Sequence, residues 1–254
     1  MRTGIAAGIV VFYIVIGCPI QAMQRVFAAP PQHSDAFARA KQSTWGVALL
    51  RFGSVGEVES ISLSGSGFFV SPTYFVTAAH VINSEKLLAR ARGPRDEIRI
   101  FKTDPNGNGF IGPLVIVYEN RTMDAAILKS PRETTQWIPV ARVDPEEGDE
   151  VGLYGYPLAV WDNKLAPTAF ALGRQGMVSG FGRENNVRRM VTTLVSNPGN
   201  SGGPVFRVET GEAVAIHKGQ LLNSAGQAIE GYSISTLLTN LRPQFEKLGI
   251  LPAP

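Results

Sequence analysis

The sequence predicts an all-β protein made of two antiparallel, six-stranded β-barrels followed by a C-terminal helix. Two observations lead to this fold class. From residue 44 to residue 235, apolar runs of strand length alternate with turns rich in Gly, Pro and Asn, six runs in each half. Beyond Ser235 the apolar residues take up helical spacing, at Leu237, Leu238, Leu241, Phe245 and Leu248.

The elements follow in order along the chain. The first half contains the runs Trp45–Phe52, Gly67–Val70, Tyr74–Ala79, Ile98–Lys102, Leu114–Tyr118 and Ala125–Leu128. The second half contains Glu150–Tyr156, Ala169–Ser179, Arg189–Val195, Pro204–Val208, Ala213–His217 and Gly231–Ile234. We therefore expect an N-terminal barrel at 44–130, a connector at 131–149, a C-terminal barrel at 150–235, and the helix and tail at 236–254.

Composition excludes several function classes. The chain has 254 residues, of which 18% are charged, with 27 Gly and 17 Pro, which is typical of a globular protein with many turns. The net charge is +3, and no basic cluster is interleaved with aromatic residues, so we expect no nucleic-acid partner. With three His and one Cys, no cluster has metal-ligand spacing, so we expect no metal, no cofactor and no internal disulfide.

One segment only partly matches a metal motif. Residues 104–109, Asp-Pro-Asn-Gly-Asn-Gly, fit the start of a calcium-binding loop. Val115 occupies the position where the bidentate Glu should stand, and the flanking residues have strand character. We therefore expect a hairpin loop at this place.

The N-terminus, residues 1–28, predicts export. Arg2 precedes an apolar run from Gly4 to Gly17, followed by small residues, as in a secretory signal peptide. Two alternatives are open: a lipoprotein anchor acylated at Cys18, or an uncleaved membrane anchor. All three place the remaining domain outside the cytoplasm, periplasmic or secreted, with a possible membrane tether through 1–28. Residues 29–43 are expected to form a linker.

A glycine-rich turn around Ser201 is the clearest functional signal. Residues 198–204 read Pro-Gly-Asn-Ser-Gly-Gly-Pro, between two apolar runs. Glycines beside a serine let a substrate approach the backbone closely and can aim successive N–H groups at one point. Such a turn can provide a nucleophile together with an oxyanion hole, although an isolated Gly/Ser/Asn/Pro cluster is more often a hairpin corner.

Two further strings supply partners for this serine. Residues 77–80 read Thr-Ala-Ala-His and end on His80, and residues 124–128 read Asp-Ala-Ala-Ile-Leu and begin with Asp124. The order His80, Asp124, Ser201 is that of the chymotrypsin-type proteases. With Gly65-Ser66-Gly67-Phe68-Phe69-Val70, these strings make the chain resemble the trypsin-like serine peptidases, most closely the bacterial Deg/HtrA and glutamyl-endopeptidase branches. The resemblance spans residues 44 to 247.

The resemblance implies a chymotrypsin-like fold and specific residue roles. His80 would act as the general base, Asp124 would orient it, Ser201 would be the nucleophile, and the N–H groups of Gly199 and Ser201 would form the oxyanion hole. The substrates would be proteins or peptides. We expect no PDZ domain after the C-terminal helix, and the sequence carries no signal for an oligomeric state.

The resemblance gives two conflicting indications of specificity. Val195, six residues before Ser201, would lie at the floor of the primary pocket and favours small aliphatic side chains. Ala215-Ile216-His217-Lys218-Gly219 is similar to the Gly-Ile-His-x-Gly string of glutamyl endopeptidases and picornaviral main proteases, in which the histidine reads Glu or Gln. His217 and Gly219 are therefore candidate substrate-binding residues, beside the alternative that His217 has no role in specificity.

Two function classes follow from these observations. The first is a serine endopeptidase. The alternative is a catalytically silent, chaperone-like protein that binds peptides in the same cleft without cleaving them. The intact set of His80, Asp124, Ser201 and Gly199 favours the enzyme, since silent relatives commonly lose one of them.

Overall fold

A computed structural model describes residues 33–82, 96–104, 107–157 and 171–252. Thirteen strands dominate the described chain and form two separate antiparallel sheets. The strands are β1 (Thr44–Phe52), β2 (Val58–Phe69), β3 (Tyr74–Thr77), β4 (Asp96–Asp104), β5 (Gly107–Ile111), β6 (Val115–Asn120), β7 (Ala125–Lys129), β8 (Glu150–Gly155), β9 (Leu172–Glu184), β10 (Val187–Thr192), β11 (Pro204–Arg207), β12 (Ala213–Leu222) and β13 (Ala228–Leu237).

The first sheet contains seven strands in the order β5-β4-β1-β2-β3-β7-β6. Phe68, Phe75 and Ile127 are among its fully buried apolar side chains. The strand beyond the six expected is β5, which pairs with β4 in a hairpin. The sequence prediction missed it because Gly107–Ile111 is rich in Gly and Asn and has little of the apolar pattern that indicates a strand. Residues 105–106, between β4 and β5, lie outside the described residues.

The second sheet closes into a six-stranded barrel in the order β10-β13-β12-β11-β8-β9. Closure pairs every strand on both sides, which leaves no exposed strand edge. Val151, Leu153, Val205 and Leu237 are fully buried in its core. The prediction of an all-β fold with two barrel-like antiparallel sheets is thus confirmed, with seven strands in the first sheet and six in the second.

The segment before β1 differs from the prediction. Residues 33–43, expected to belong to a linker, form helix α1 (His33–Ser43). Ala36 and Ala40, one helical turn apart, are fully buried, and the Phe37 ring packs edge-on against the rings of Tyr154 and Phe206. The helix therefore packs against the second barrel. In the sequence, the helix is indicated by Ala36 and Ala40, two small residues spaced four apart.

The C-terminal helix is present and shorter than the segment 236–254. Strand β13 extends to Leu237, a 3₁₀ turn covers Leu238–Leu241, and α2 comprises Arg242–Lys247. Leu241 and Phe245 are fully buried. The segment 1–28, for which a signal peptide or an anchor is expected, lies outside the described residues. Among the residues that are described, no helix has both the length and the apolar character needed to cross a membrane.

Candidate active site

His80 lies in a 3₁₀ turn directly after β3. The apolar residues of β3 are buried in the first sheet, and the chain leaves the sheet at Ala78, which is still extended. Ala79 and Val81 turn inward and are 2% exposed, whereas the His80 side chain is 44% exposed. The buried neighbours fix the backbone, and the imidazole is left at the surface where a substrate can reach it.

Asp124 binds His80 at two points. The carboxylate accepts a hydrogen bond from Nδ1 of His80, which lies 2.8 Å from Oδ2 and 3.0 Å from Oδ1. Oδ1 also accepts from the backbone N–H of His80 at 2.9 Å. Burial alone would raise the pKa of Asp124, but its hydrogen bonds and charge interaction with His80 hold the pKa below the usual value. The carboxylate is therefore ionised at neutral pH and can fix the Nδ1–H tautomer of the imidazole.

The backbone before Ser201 forms a tight turn. The N–H of Asn200 donates to the carbonyl of Asn197 at 3.0 Å, and Gly199 has φ +98°. A proline at the second position and a glycine with positive φ at the third are the signature of a type II turn, which Pro198 and Gly199 provide. The sequence thus determines the backbone conformation immediately before the serine.

The glycines after Ser201 allow close backbone approaches, to the first sheet at Gly202 and within the second barrel at Gly203. A Cβ on Gly202, which has φ +87°, would lie 2.0 Å from the carbonyl oxygen of Ser66 in β2. A Cβ on Gly203 would lie 2.1 Å from the carbonyl oxygen of Tyr154 in β8. Because neither backbone atom can yield to a side chain, both positions require glycine.

The Ser201 hydroxyl donates to the carbonyl of Lys218 at 2.9 Å. The same stretch of β12 holds the turn, since the N–H of Gly202 donates to the carbonyl of His217 at 2.8 Å and the N–H of His217 donates to the carbonyl of Gly203 at 2.9 Å. Within the described residues, Ser201 Oγ has no hydrogen bond to His80.

Ser66 connects the first sheet to this turn. Its hydroxyl donates to the carbonyl of Gly199 at 2.6 Å and accepts from the N–H of Tyr156 at 2.8 Å, while its N–H donates to the carbonyl of Ser201 at 2.8 Å. Across the described part of the chain, the backbone N–H groups of Gly199 and Ser201 have no acceptor. Sequence reasoning used Ser66 only as part of a motif and gave it no role of its own.

The predicted specificity residues lie in different surroundings. Val195 is 53% exposed, whereas His217 is fully buried, with Nε2 2.7 Å from Ser196 Oγ. Burial, helped by the charge of His80, lowers the pKa of His217 from 6.5 to about 3, so the imidazole is neutral. A Cβ at Gly219 would meet open space. Ser196, which is 8% exposed, was missed by the sequence analysis.

No metal centre is evident in this part of the molecule. Across residues 33–82, 96–104, 107–157 and 171–252, no group of three His, Cys, Asp or Glu side chains could hold an ion.

Comparison with curated proteins gives relatives of one kind. The chain is 31% identical over 174 residues to a protein of Pseudomonas fluorescens strain Pf-5 named a probable periplasmic serine endoprotease, DegP-like. That match covers 64% of this chain and 30% of the relative. A protein of Chlamydia pneumoniae with the same name is 25% identical, over 70% of this chain and 33% of its own length. The chain thus spans about a third of the length of these curated relatives.

Solved structures share the fold. The Rv3671c protease of M. tuberculosis in its active form matches with a TM-score of 0.61 at 16% identity, covering 89% of this chain and 91% of that one. A serine endoprotease from Yersinia pestis matches with a TM-score of 0.59 at 24% identity, covering 87% and 67%. The HtrA-type protease AlgW bound to a tripeptide matches with a TM-score of 0.60 at 20% identity, covering 87% and 64%.

The family model for a trypsin-like peptidase domain matches residues 65–216, more than half of the chain. The matched span contains His80, Asp124 and Ser201. This chain belongs to the trypsin-like peptidase family.

Proposed function

We propose that this protein is a serine endopeptidase that cleaves protein or peptide substrates through Ser201, His80 and Asp124. The observation that carries the proposal is the double hydrogen bond between Asp124 and His80, with Nδ1 at 2.8 Å and the backbone N–H at 2.9 Å. This contact orients the imidazole so that its Nε2 is free to accept a proton. Family membership supports the same chemistry.

The reaction begins when the Ser201 hydroxyl turns from the Lys218 carbonyl toward Nε2 of His80. His80 accepts the proton as Ser201 Oγ attacks the substrate carbonyl carbon. The imidazolium, stabilised by ionised Asp124, then donates that proton to the leaving amine, and the acyl-enzyme forms. Water, deprotonated by His80, attacks the ester, and its hydrolysis regenerates the Ser201 hydroxyl.

The developing oxyanion would be bound by the N–H groups of Gly199 and Ser201. Both N–H groups lack acceptors within the described chain. The type II turn and the hydrogen bond from the Ser66 hydroxyl to the Gly199 carbonyl hold this backbone segment in place. Donors that are already oriented need no reorganisation during the reaction. One such donor typically contributes about 3 kcal/mol to transition-state stabilisation.

For specificity, we propose recognition of Gln or Glu before the scissile bond by way of Ser196 and His217. His217 is neutral and fully buried, and its Nε2 contacts Ser196 Oγ. If Nε2–H donates to Ser196, the Ser196 hydroxyl is left to donate to a substrate carbonyl. A neutral pair suits an amide better than a carboxylate, because a buried carboxylate without a counter-charge is costly. The alternative is a small aliphatic preference at the exposed Val195.

A second candidate function is peptide binding without cleavage. The observation that favours it is the Ser201 hydroxyl bound to the Lys218 carbonyl rather than to His80. The two candidates separate in a digestion assay with an unfolded protein such as casein. The peptidase should produce fragments, Ser201→Ala should not, and the control Ser60→Ala, an exposed serine of β2, should match the parent. Absence of fragments from all three folded proteins, with retained peptide binding, would establish the binding module.

We propose that the domain works outside the cytoplasm. The apolar N-terminal segment and the periplasmic names of the curated relatives support export. Intact-mass analysis of the protein from the native envelope distinguishes a cleaved signal, a lipid on Cys18 and an uncleaved anchor. A full-length, unmodified chain recovered from the cytoplasm would contradict export.

A further inference from the structure

Arg189 is a charged side chain in the interior of the junction between the two sheets. It lies on β10 of the second barrel, is 1% exposed, and is the largest of the fully buried side chains described. Its guanidinium reaches the turn between β6 and β7 of the first sheet, where Nη1 donates to the carbonyl of Met123 at 2.6 Å and Nη2 donates to the carbonyl of Thr122 at 3.0 Å. These are the two residues immediately before Asp124.

The backbone that carries Asp124 is in a conformation uncommon for residues other than glycine. Asp124 has φ +54°, its N–H donates to the carbonyl of Arg121 at 3.2 Å, and the N–H of Met123 donates to Asn120 Oδ1 at 2.8 Å. From the second barrel, Thr236 Oγ1 adds a hydrogen bond to the Met123 carbonyl at 2.8 Å. A left-handed backbone is strained for a residue with a side chain and persists only where its surroundings fix it.

The charge of Arg189 is balanced by Glu184. Oε2 of Glu184 accepts from Nε of Arg189 at 3.0 Å, and its carboxylate also accepts from Lys218 Nζ at 2.7 Å and 2.5 Å. Lys218 is the residue whose carbonyl accepts from the Ser201 hydroxyl. Glu184 therefore links Arg189, which contacts the turn before Asp124, to Lys218 on β12, the strand next to Ser201.

We propose that Arg189 is a positioning residue that holds the Thr122–Met123 carbonyls so that Asp124 presents its carboxylate to His80. The inference rests on the proposed function of Asp124. A guanidinium suits this task because its planar fork donates in several fixed directions at once, here to two carbonyls, a carboxylate and the Thr236 hydroxyl. A lysine ammonium is a point charge on a flexible chain and cannot reproduce the fork.

A merely structural role, in which Arg189 only joins the two sheets, predicts a different outcome. In that case its loss would lower the free energy of unfolding but leave the His80–Asp124 contact unchanged in the molecules that remain folded. A positioning role predicts that the contact itself is disturbed. The contact can be observed apart from activity, since an imidazole N–H bonded to a carboxylate gives a strongly downfield proton NMR signal.

The test compares Arg189→Met with Arg188→Met. Arg188 is the next residue on β10, but its side chain is 45% exposed and lies over the Phe181 ring at 4.3 Å, away from Asp124. Arg189→Met should lose the downfield signal, which Asp124→Ala identifies, and kcat per folded molecule should fall about 100-fold with KM changed little. Arg188→Met should retain the signal and the parent kcat.

Arg189→Lys provides the same test if the methionine variant does not fold. It keeps a charge beside Glu184 and should still lose most of the downfield signal and of kcat. A folded Arg189 variant with the parent signal and parent kcat would overturn the proposal. Failure of the proposed function looks different: the parent itself would have no kcat, while the NMR comparison of the Arg189 and Arg188 variants would still report on the position of Asp124.

Discussion

His80 and Asp124 are joined by side chain and backbone together: the carboxylate binds Nδ1 at 2.8 Å and the backbone N–H of the same histidine at 2.9 Å. One carboxylate thus fixes both the backbone position of His80 and the orientation of its imidazole ring. This arrangement needs an ionised acceptor on Asp124, which its lowered pKa supplies.

Asp124→Asn should reduce kcat by roughly 10⁴ while the protein stays folded. An amide offers an N–H where Nδ1–H needs an acceptor, so the imidazole adopts the wrong tautomer. Steady-state kinetics on purified protein measure the effect, and circular dichroism verifies the fold. Activity within tenfold of the parent would mean that Asp124 does not orient His80.

Gly199→Ala should lower both stability and turnover. The glycine has φ +98°, which strains any L side chain, so we expect a loss of about 1–2 kcal/mol in the free energy of unfolding. If its N–H also leaves the oxyanion hole, kcat should drop by roughly 10²–10³. Urea unfolding and kinetics separate the two effects, and Gly219→Ala, where the Cβ meets open space, is the control for stability.

The stability of the protein should fall on acidification because of His217. Its folded pKa, about 3, lies below the unfolded value of 6.5, so between these values the unfolded chain binds a proton that the folded chain does not. The contribution of the neutral His217 to the free energy of unfolding is therefore fully present above pH 6.5. It decreases toward pH 3 by up to about 1.4 kcal/mol per pH unit.

Urea unfolding at pH 7 and pH 5 measures this loss. His217→Gln should reduce the difference in the free energy of unfolding between the two pH values by about 2 kcal/mol. An equal pH dependence in the parent and in His217→Gln would show that His217 is able to charge in the folded protein.

A peptide library should reveal Gln or Glu before the cleaved bond. Because the proposed contact runs from His217 through Ser196, both Ser196→Ala and His217→Ala should weaken that preference by raising KM for Gln-containing peptides. Val195→Ala should change it little. A dominant Val or Ala preference, unaltered in His217→Ala, would assign the pocket to Val195 instead.

The local sequence motifs predicted the candidate site residues themselves but not the residues that hold them in place. His80, Asp124 and Ser201 were candidates from the sequence because His80 ends an apolar run, Asp124 begins one, Ser201 lies in a glycine-rich turn, and the three follow a known order. Arg189 was not, because Arg188 and Arg189 look alike in sequence and only the alternation of β10 turns one outward and the other inward. Ser66 and Ser196 were missed for a similar reason, since their partners, Gly199 and His217, are remote or buried in the fold.

The central claim, that Ser201 is a nucleophile activated by His80, is tested most directly by a fluorophosphonate probe. We expect intact-mass analysis to show one adduct per molecule and peptide mapping to place it on Ser201. Ser201→Ala should show no adduct, and His80→Ala should react at least about 100-fold more slowly, because the hydroxyl then has no base. A folded, processed protein that is not labelled, or that is labelled equally after Ser201→Ala, would contradict the account.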